Sequence, residues 1–237
     1  MRLIDLSRRE GIGANCQWLE LGPFRLVIDA GLDPKGLGTE ATPRFEAAPY
    51  AEADAIILTH CHLDHLGSLP LVSARYPRAP VLCSRASEVL APRMLRNSCN
   101  VMKRQRQEQG IREYPLYGRK GIDHLEDQLL ALDYRKPFHL EKDGETLTIT
   151  LYRAGHIVGA VGVLLTYKHR HVFLTGDVLF GEQKTLSGAD FPDFEVDTLI
   201  METTRGSTER VAGTNRQSEV KRLLSDVTET LSAGGSV

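Results

Sequence analysis

Cysteine is scarce in this chain and never paired at short spacing. Cys16, Cys61, Cys83 and Cys99 stand apart with no Cys-x-x-Cys, which argues against a zinc ribbon, a dithiol redox motif and a secreted disulfide scaffold. Charge of one sign is also missing: 29 Lys and Arg face 31 Asp and Glu, leaving a formal net charge of -2, so no global basic field announces nucleic acid. A locally basic groove on a neutral protein stays compatible with that balance. Long apolar runs are absent too. The start, Met1-Arg2-Leu3-Ile4-Asp5-Leu6, is interrupted by charge at Asp5 and lacks the unbroken core of a signal peptide, and nothing later approaches a membrane span. The expected setting is a reducing cytoplasm, with no membrane partner. At 237 residues the chain has room for one large domain or two small ones, with a sizeable buried core.

What is present concentrates in Thr59-His60-Cys61-His62-Leu63-Asp64-His65-Leu66-Gly67. Four metal-ligand side chains fall between positions 60 and 65, directly after the apolar run Ala55-Ile56-Ile57-Leu58. A buried strand therefore ends by presenting His60 and His62 into a loop. Residues two apart in an extended chain lie on one side, so the two imidazoles can share an ion while Asp64 and His65 turn toward another. Single histidines are usually surface or satisfied core residues. Four ligand types at this spacing after a strand read instead as a binuclear metal site.

The remaining pattern is that of a layered α/β domain. Leu3 to Leu6 reads as a first strand. Gly11-Ile12-Gly13-Ala14 has only a superficial likeness to a nucleotide-binding glycine loop, because Gln17 to Leu21 continues as strand rather than helix. Gly22-Pro23 turns into a strand over Phe24 to Asp29, and an acid at the end of a buried strand needs a partner. For Asp29 a metal-site histidine and a turn-capping role both remain open. Residues 32–50 read as a long loop, Leu66 to Tyr76 as a short helix and Val81 to Cys83 as a strand. From Ser84 onward the spacing is helical, with a last helical stretch over Ile122 to Leu132. Arg93, Arg96, Lys103, Arg104, Arg106 and Arg112 make this the most basic region, but Glu108 and Glu113 dilute the charge and few aromatics are interleaved. It reads as a solvated face.

Strand signals return at Phe138, alternate over Thr146 to Leu151, and lead to Ala154-Gly155-His156-Ile157-Val158-Gly159-Ala160. Val161 to Leu165 and His171 to Leu174 form a predicted hairpin whose turn histidines, His169 and His171, are given no metal role. The second of these strands ends in Thr175-Gly176-Asp177, and a strand over Phe194 to Met201 ends in Glu202. Val220, Leu223, Leu224, Val227 and Leu231 give Arg216 to Leu231 helical spacing, with Gly234 and Gly235 as a stop. Strand ends thus deliver Asp29, the His60 to His65 cluster, His156, Asp177 and Glu202, and in a layered sheet such ends gather along one edge.

In this order, Asp29, His60-x-His62-x-Asp64-His65, His156 and Asp177 resemble the metallo-β-lactamase superfamily. Ala154-Gly155-His156-Ile157-Val158-Gly159-Ala160 is similar to the Ala-Gly-His-x-x-Gly-Ala element of its β-CASP branch of RNA- and DNA-processing nucleases. Glu202-Thr203-Thr204-Arg205-Gly206 resembles that branch's acidic motif, with Arg205 where Tyr is common. The resemblance implies an incomplete αββα sandwich over residues 1–203, followed by the beginning of a β-CASP cap over 204–237. It implies that His60, His62 and His156 hold one zinc, that Asp64 and His65 hold another, and that Asp177 bridges both. Asp29 would orient a ligand, and Glu202 would match the first acid of the cap. Asp64, Asp177 and Glu202 are thereby the expected catalytic carboxylates. The implied activity is zinc-dependent cleavage of RNA, or of single-stranded nucleic acid generally, by a hydroxide shared between the metals.

The chain departs from the branch in one respect. No histidine follows Glu202, whereas the branch supplies two more, one for the leaving group and one for the second zinc. The second zinc site is therefore expected to lack its usual last histidine, which a missing C-terminal half or a second chain would supply. Two other functions are weighed against the nuclease: an ester or thioester hydrolase on the same fold, and a non-catalytic module binding nucleic acid or a partner.

Overall fold

A computed structural model describes residues 1–9, 11–209, 213 and 215–237. The chain divides into two compact units, Met1–Glu202 and Thr203–Val237. The first unit is built on two mixed sheets. One contains β1 (Arg2–Asp5), β2 (Gln17–Leu21), β3 (Phe24–Ile28), β4 (Ala55–Ile57), β5 (Val81–Ser84) and β6 (Leu129–Leu132), side by side in that order. The first two pairings are antiparallel and the rest parallel. The other contains β7 (Pro137–Lys142), β8 (Glu145–Arg153), β9 (Val161–Tyr167), β10 (Arg170–Leu174) and β11 (Thr198–Ile200). Its order is β11-β10-β9-β8-β7, antiparallel except for β10 against β11.

Period-2 alternation decides which core each strand residue joins. Leu19, Leu21, Leu26, Ile28, Ala55, Ile57 and Leu82 point from the first sheet toward Leu147, Ile149, Leu151, Val163, Leu165 and Val172 of the second. Their neighbours Trp18, Val27, Ile56, Val81 and Cys83 point the other way, into a core shared with the helices. Those helices are α1 (Leu63–Leu66), α2 (Leu69–Arg75), α3 (Arg85–Gln109) and α4 (Arg119–Gln128). On the outer face of the second sheet, Tyr152, Leu164 and Phe173 form a small cluster with Phe191 and Val196. Three of the four expected layers are thus helices, sheet and sheet. Loop residues preceding β11 supply the packing on the fourth side.

Three expectations are corrected. The helical stretch expected over Ile122 to Leu132 ends at Gln128, and Leu129–Leu132 is β6, parallel to β5. Four consecutive apolar residues carry no period, and pairing with the open edge of β5 decides their state. The strand expected over Phe194 to Met201 shrinks to Thr198–Ile200. Phe194 is apolar for another reason: it meets the His171 ring edge-on at 5.4 Å, while Val196 packs on the outer cluster. The helix expected over Leu66 to Tyr76 starts later, at Leu69, and a separate helical turn, Leu63–Leu66, carries Asp64 and His65. The loop over 32–50 contains short 3-10 turns at Gly38–Ala41 and Phe45–Ala47.

The second unit holds α5 (Arg216–Ser232), started by a reciprocal cap between Asn215 and Ser218. None of its residues is buried. No helix among the described residues is long and apolar enough to cross a membrane.

All four cysteines are free and buried. Burial raises the thiols of Cys16, Cys61 and Cys83, to about 11 for Cys61 and about 12 for Cys83. These thiols stay protonated and inaccessible at neutral pH, which removes the reactive thiolate. A thiol titration with Ellman's reagent at about pH 8 should therefore find no reactive cysteine in the folded protein and all four after denaturation. One rapid, stoichiometric reaction in the native state would contradict this.

Candidate metal centre

The strands that carry the expected ligands end on one edge. β3 and β4 run parallel in the first sheet, and β8 and β10 share a direction in the second because β9 is antiparallel to both. Their carboxyl ends release Asp29, Thr59 to His65, His156 and Asp177.

Asp29 leaves β3 with φ 59, the left-handed region that Asp tolerates better than most residues. That turn aims its carboxylate across to the next segment. Its Oδ1 accepts the Thr59 N–H at 2.7 Å, and its Oδ2 accepts the Thr59 hydroxyl at 2.7 Å. The same Oδ2 lies 2.7 Å from His65 Nδ1. With its proton given to Asp29, Thr59 Oγ1 is the acceptor for His60 Nδ1 at 3.1 Å. These bonds place a proton on Nδ1 of both rings and leave His60 Nε2 and His65 Nε2 facing the interior of the site.

His60 Nε2 lies 3.1 Å from His62 Nδ1, which lies 3.1 Å from His156 Nε2. Asp177 Oδ2 is 3.9 Å from His60 Nε2 and 3.6 Å from His156 Nε2. One ligand atom from each of the four residues lies within 4.8 Å of all the others. Donors about 2.0–2.1 Å from a tetrahedral zinc are roughly 3.3 Å apart, so the cluster has the dimensions of such a site. His62 Nδ1 has one position for a proton yet faces two imidazole nitrogens, so hydrogen bonding alone leaves lone pairs opposed. A divalent cation resolves that conflict.

The second expected pair is adjacent. His65 Nε2 is 3.3 Å from Asp177 Oδ1 and 3.8 Å from Asp64 Oδ2. Asp177 thus offers one oxygen to each side. Burial would lower the His65 pKa, but Asp29 and Asp177 outweigh it and raise it to about 10. Burial would raise the Asp177 pKa, but the hydrogen bond from His65 outweighs it and holds it at about 2. His60 is pushed down to about 2 by burial and the neighbouring His65, and burial with His156 lowers His62. The metal-free edge therefore has neutral imidazoles at His60 and His62 and an ion pair around His65.

Glu202 is placed on the same edge, lining a cavity of about 140 Å³ with Asn15, Asp29, His65 and Asp177. Its Oε1 accepts the Val178 N–H at 3.3 Å, and its own N–H donates to Thr175 Oγ1 at 3.2 Å. It thus engages the Val178 backbone on one side of Asp177 and the Thr175 hydroxyl on the other.

Three residues at the site carry no role in the sequence reading. Thr59 is the relay between Asp29 and His60. Asn15 Nδ2 lies 3.0 Å from His65 Nε2 and 3.4 Å from Asp64 Oδ2. Gln183 Nε2 donates to the carbonyls of Gly155 at 2.7 Å and His156 at 2.9 Å, clamping the His156 loop. The glycine turn before Asn15 is the only local signal for it, and Gln183 lies in an irregular segment that gives none. Gly31 is a further requirement: a Cβ there would lie 1.7 Å from the Asp64 carbonyl oxygen.

A two-sheet α/β protein with histidines and aspartates converging on one sheet edge defines a metal-binding class, and the comparison with known families specifies which. Residues 18–206 match the metallo-beta-lactamase superfamily domain, and the chain belongs to that superfamily. It is similar to an RNase J-like protein of Methanocaldococcus jannaschii, with 27% identity over 95% of this chain and 48% of that protein. It is also similar to the endoribonuclease ysh1 of Schizosaccharomyces pombe, with 26% identity over 100% of this chain and 30% of the relative. The transcription termination factor FttA of M. jannaschii matches at 28% identity over 100% of this chain and 36% of its own length. The chain thus spans less than half the length of these relatives.

Replacing Asp29 with Ala should destabilise the metal-free protein by roughly 3 kcal/mol, because two buried Thr59 donors lose their acceptor and Ala is strained at positive φ. Asp29→Asn, which tolerates that φ and keeps one acceptor, should cost less. Urea unfolding of the two variants measures the difference, and equal stabilities would refute this account of the carboxylate.

Proposed function

We propose that this chain carries the metal centre of a zinc-dependent RNA phosphodiesterase. The observation that carries the reading is the convergence of His60 Nε2, His62 Nδ1, His156 Nε2 and Asp177 Oδ2, with the other Asp177 oxygen turned to His65. Neutral imidazole with carboxylate is a donor set suited to zinc. His60, His62 and His156 would hold the first ion and Asp64 and His65 the second, with one Asp177 oxygen available to each side. Bound there, the ions would polarise a phosphoryl oxygen and lower the pKa of water toward neutrality.

The protein's own contribution is orientation. Asp29 fixes His65 directly and His60 through Thr59, while Glu202 secures the backbone beside Asp177. Asn15 restrains Asp64, and Gln183 holds the His156 loop. RNA as substrate is supported by the relatives named as endoribonuclease and RNase J-like protein. In this reading residues 1–203 are the metallo-β-lactamase domain and 204–237 begin the cap. Four free thiols suit a reducing compartment such as the cytoplasm.

The test combines zinc stoichiometry with cleavage of labelled single-stranded RNA and of a generic ester. Chelator-sensitive RNA cleavage is expected. Asp177→Ala should lower the metal content and reduce hydrolysis more than about 100-fold, and His62→Ala should empty the first position. Two bound metals and full activity in Asp177→Ala would refute the ligand assignment. Ester turnover without RNA cleavage would make the chain a small-molecule hydrolase, and RNA binding without turnover would make it a binding module.

A further inference from the structure

A second cavity shares its wall with the metal centre. It has a volume of about 590 Å³, is lined by His62 and Asp64, and runs between the loop that follows β3 and one side of α3. α3 contributes Met94, Asn97, Ser98, Val101, Met102 and Gln105, a spacing that places all six on one helix face. The opposite wall includes Leu37 and Ile12, which are 54% and 61% exposed. The size is that of a small-ligand pocket.

Its chemistry is selective. The only charged residues among its lining, Asp33 and Asp64, are carboxylates, and no Lys or Arg lines it. Asp33 is occupied by the Lys35 N–H and by Arg9 at 3.7 Å. An anionic phosphate would therefore be repelled from this groove, whereas a flat neutral group would find apolar walls. Two carboxamides, Asn97 and Gln105, stand in the lining, and neither makes a hydrogen bond among the described residues. A carboxamide offers a donor and an acceptor side by side, the pattern that matches a base edge.

We propose that this groove binds a nucleobase, that of the nucleotide next to the phosphate held at the metal centre. The base lies between the Met94 and Val101 side of α3 and the Leu37 side of the loop, and Asn97 and Gln105 read its edge. The shared residues His62 and Asp64 set the register, since they face the groove and belong to the ligand set. This inference rests on the nuclease reading above for what occupies the metal centre.

The test titrates the zinc-loaded full chain with three probes: free nucleosides, nucleoside 5′-monophosphates and ribose 5-phosphate. Nucleosides report the groove alone and ribose 5-phosphate the metal centre alone. Monophosphates should bind about tenfold or more tighter than ribose 5-phosphate. Val101→Phe, a neutral filling substitution at a half-buried site, should abolish that advantage and the binding of nucleosides while leaving ribose 5-phosphate unchanged. Asn97→Ala and Gln105→Ala, which do not touch the core, should alter the ranking among the four bases. Equal affinity for monophosphate and ribose 5-phosphate, or unchanged nucleoside binding in Val101→Phe, would overturn the proposal. So would groove resonances that ignore nucleosides but shift as the chain self-associates. Nucleoside binding sensitive to Val101→Phe, with no binding of ribose 5-phosphate, would uphold the groove and count against the phosphate-binding metal centre.

Discussion

The metal edge depends on one buried carboxylate. Asp29 is only 5% exposed, and a carboxylate in that position is tolerated only when its oxygens are fully engaged. A backbone N–H, a hydroxyl and an imidazole engage them. Those three donors come from the segment following β4 and from α1, so pairing the charge also fastens the end of β3 to the histidine motif. The same bonds place a proton on Nδ1 of His60 and of His65. A single electrostatic requirement thus sets both the path of the chain and the direction of the ligand lone pairs.

The two sides of the centre are chemically unequal although Asp177 serves both. On one side, burial keeps His60 and His62 neutral. On the other, His65 is drawn toward its charged form between Asp29 and Asp177, and the Asn15 amide stands beside its Nε2. The first side is held by a loop fixed from two directions, by Gln183 and by the Ser84 and Ser87 hydroxyls that donate to the Gly159 carbonyl. Rigidity of that loop matters because His156 is far in sequence from its partners and has no helix to carry it.

The sequence makes the candidate ligands legible because each ends a strand or sits in a dense motif. The side chains of His60, His62, Asp64, His65, His156 and Asp177, the candidates for that role, lie within a few ångströms of their neighbours. The alternation of Leu, Ile and Val also revealed most strands of both sheets. What stayed hidden lacks periodicity or depends on distant contact. Leu129 to Leu132 is a short apolar run whose state is set by β5. Phe194 meets the His171 ring, and Val196 packs on the outer cluster. Asn15, Thr59 and Gln183 act through hydrogen bonds to residues remote in sequence or in another role, and no local pattern announces such bonds. Of the two readings open for Asp29, its carboxylate is engaged by Thr59 and His65, remote in sequence, rather than by the backbone of its own turn.

The loops of the metal edge are laced by main-chain bonds. The Asn15 N–H donates to Asp64, Ala30 to His65, Gly31 to Asn15, Leu32 to Leu63 and Ser68 back to Ala30. At Gly31 two strands of this lacing pass too close for any side chain. Segments without regular secondary structure ordinarily open first and exchange their amide hydrogens fastest. Here they cannot open one at a time, because each loop supplies the partner of the next. This edge consequently belongs to the same cooperative unit as the strands beneath it, and its amides should share the slow exchange of the sheet core.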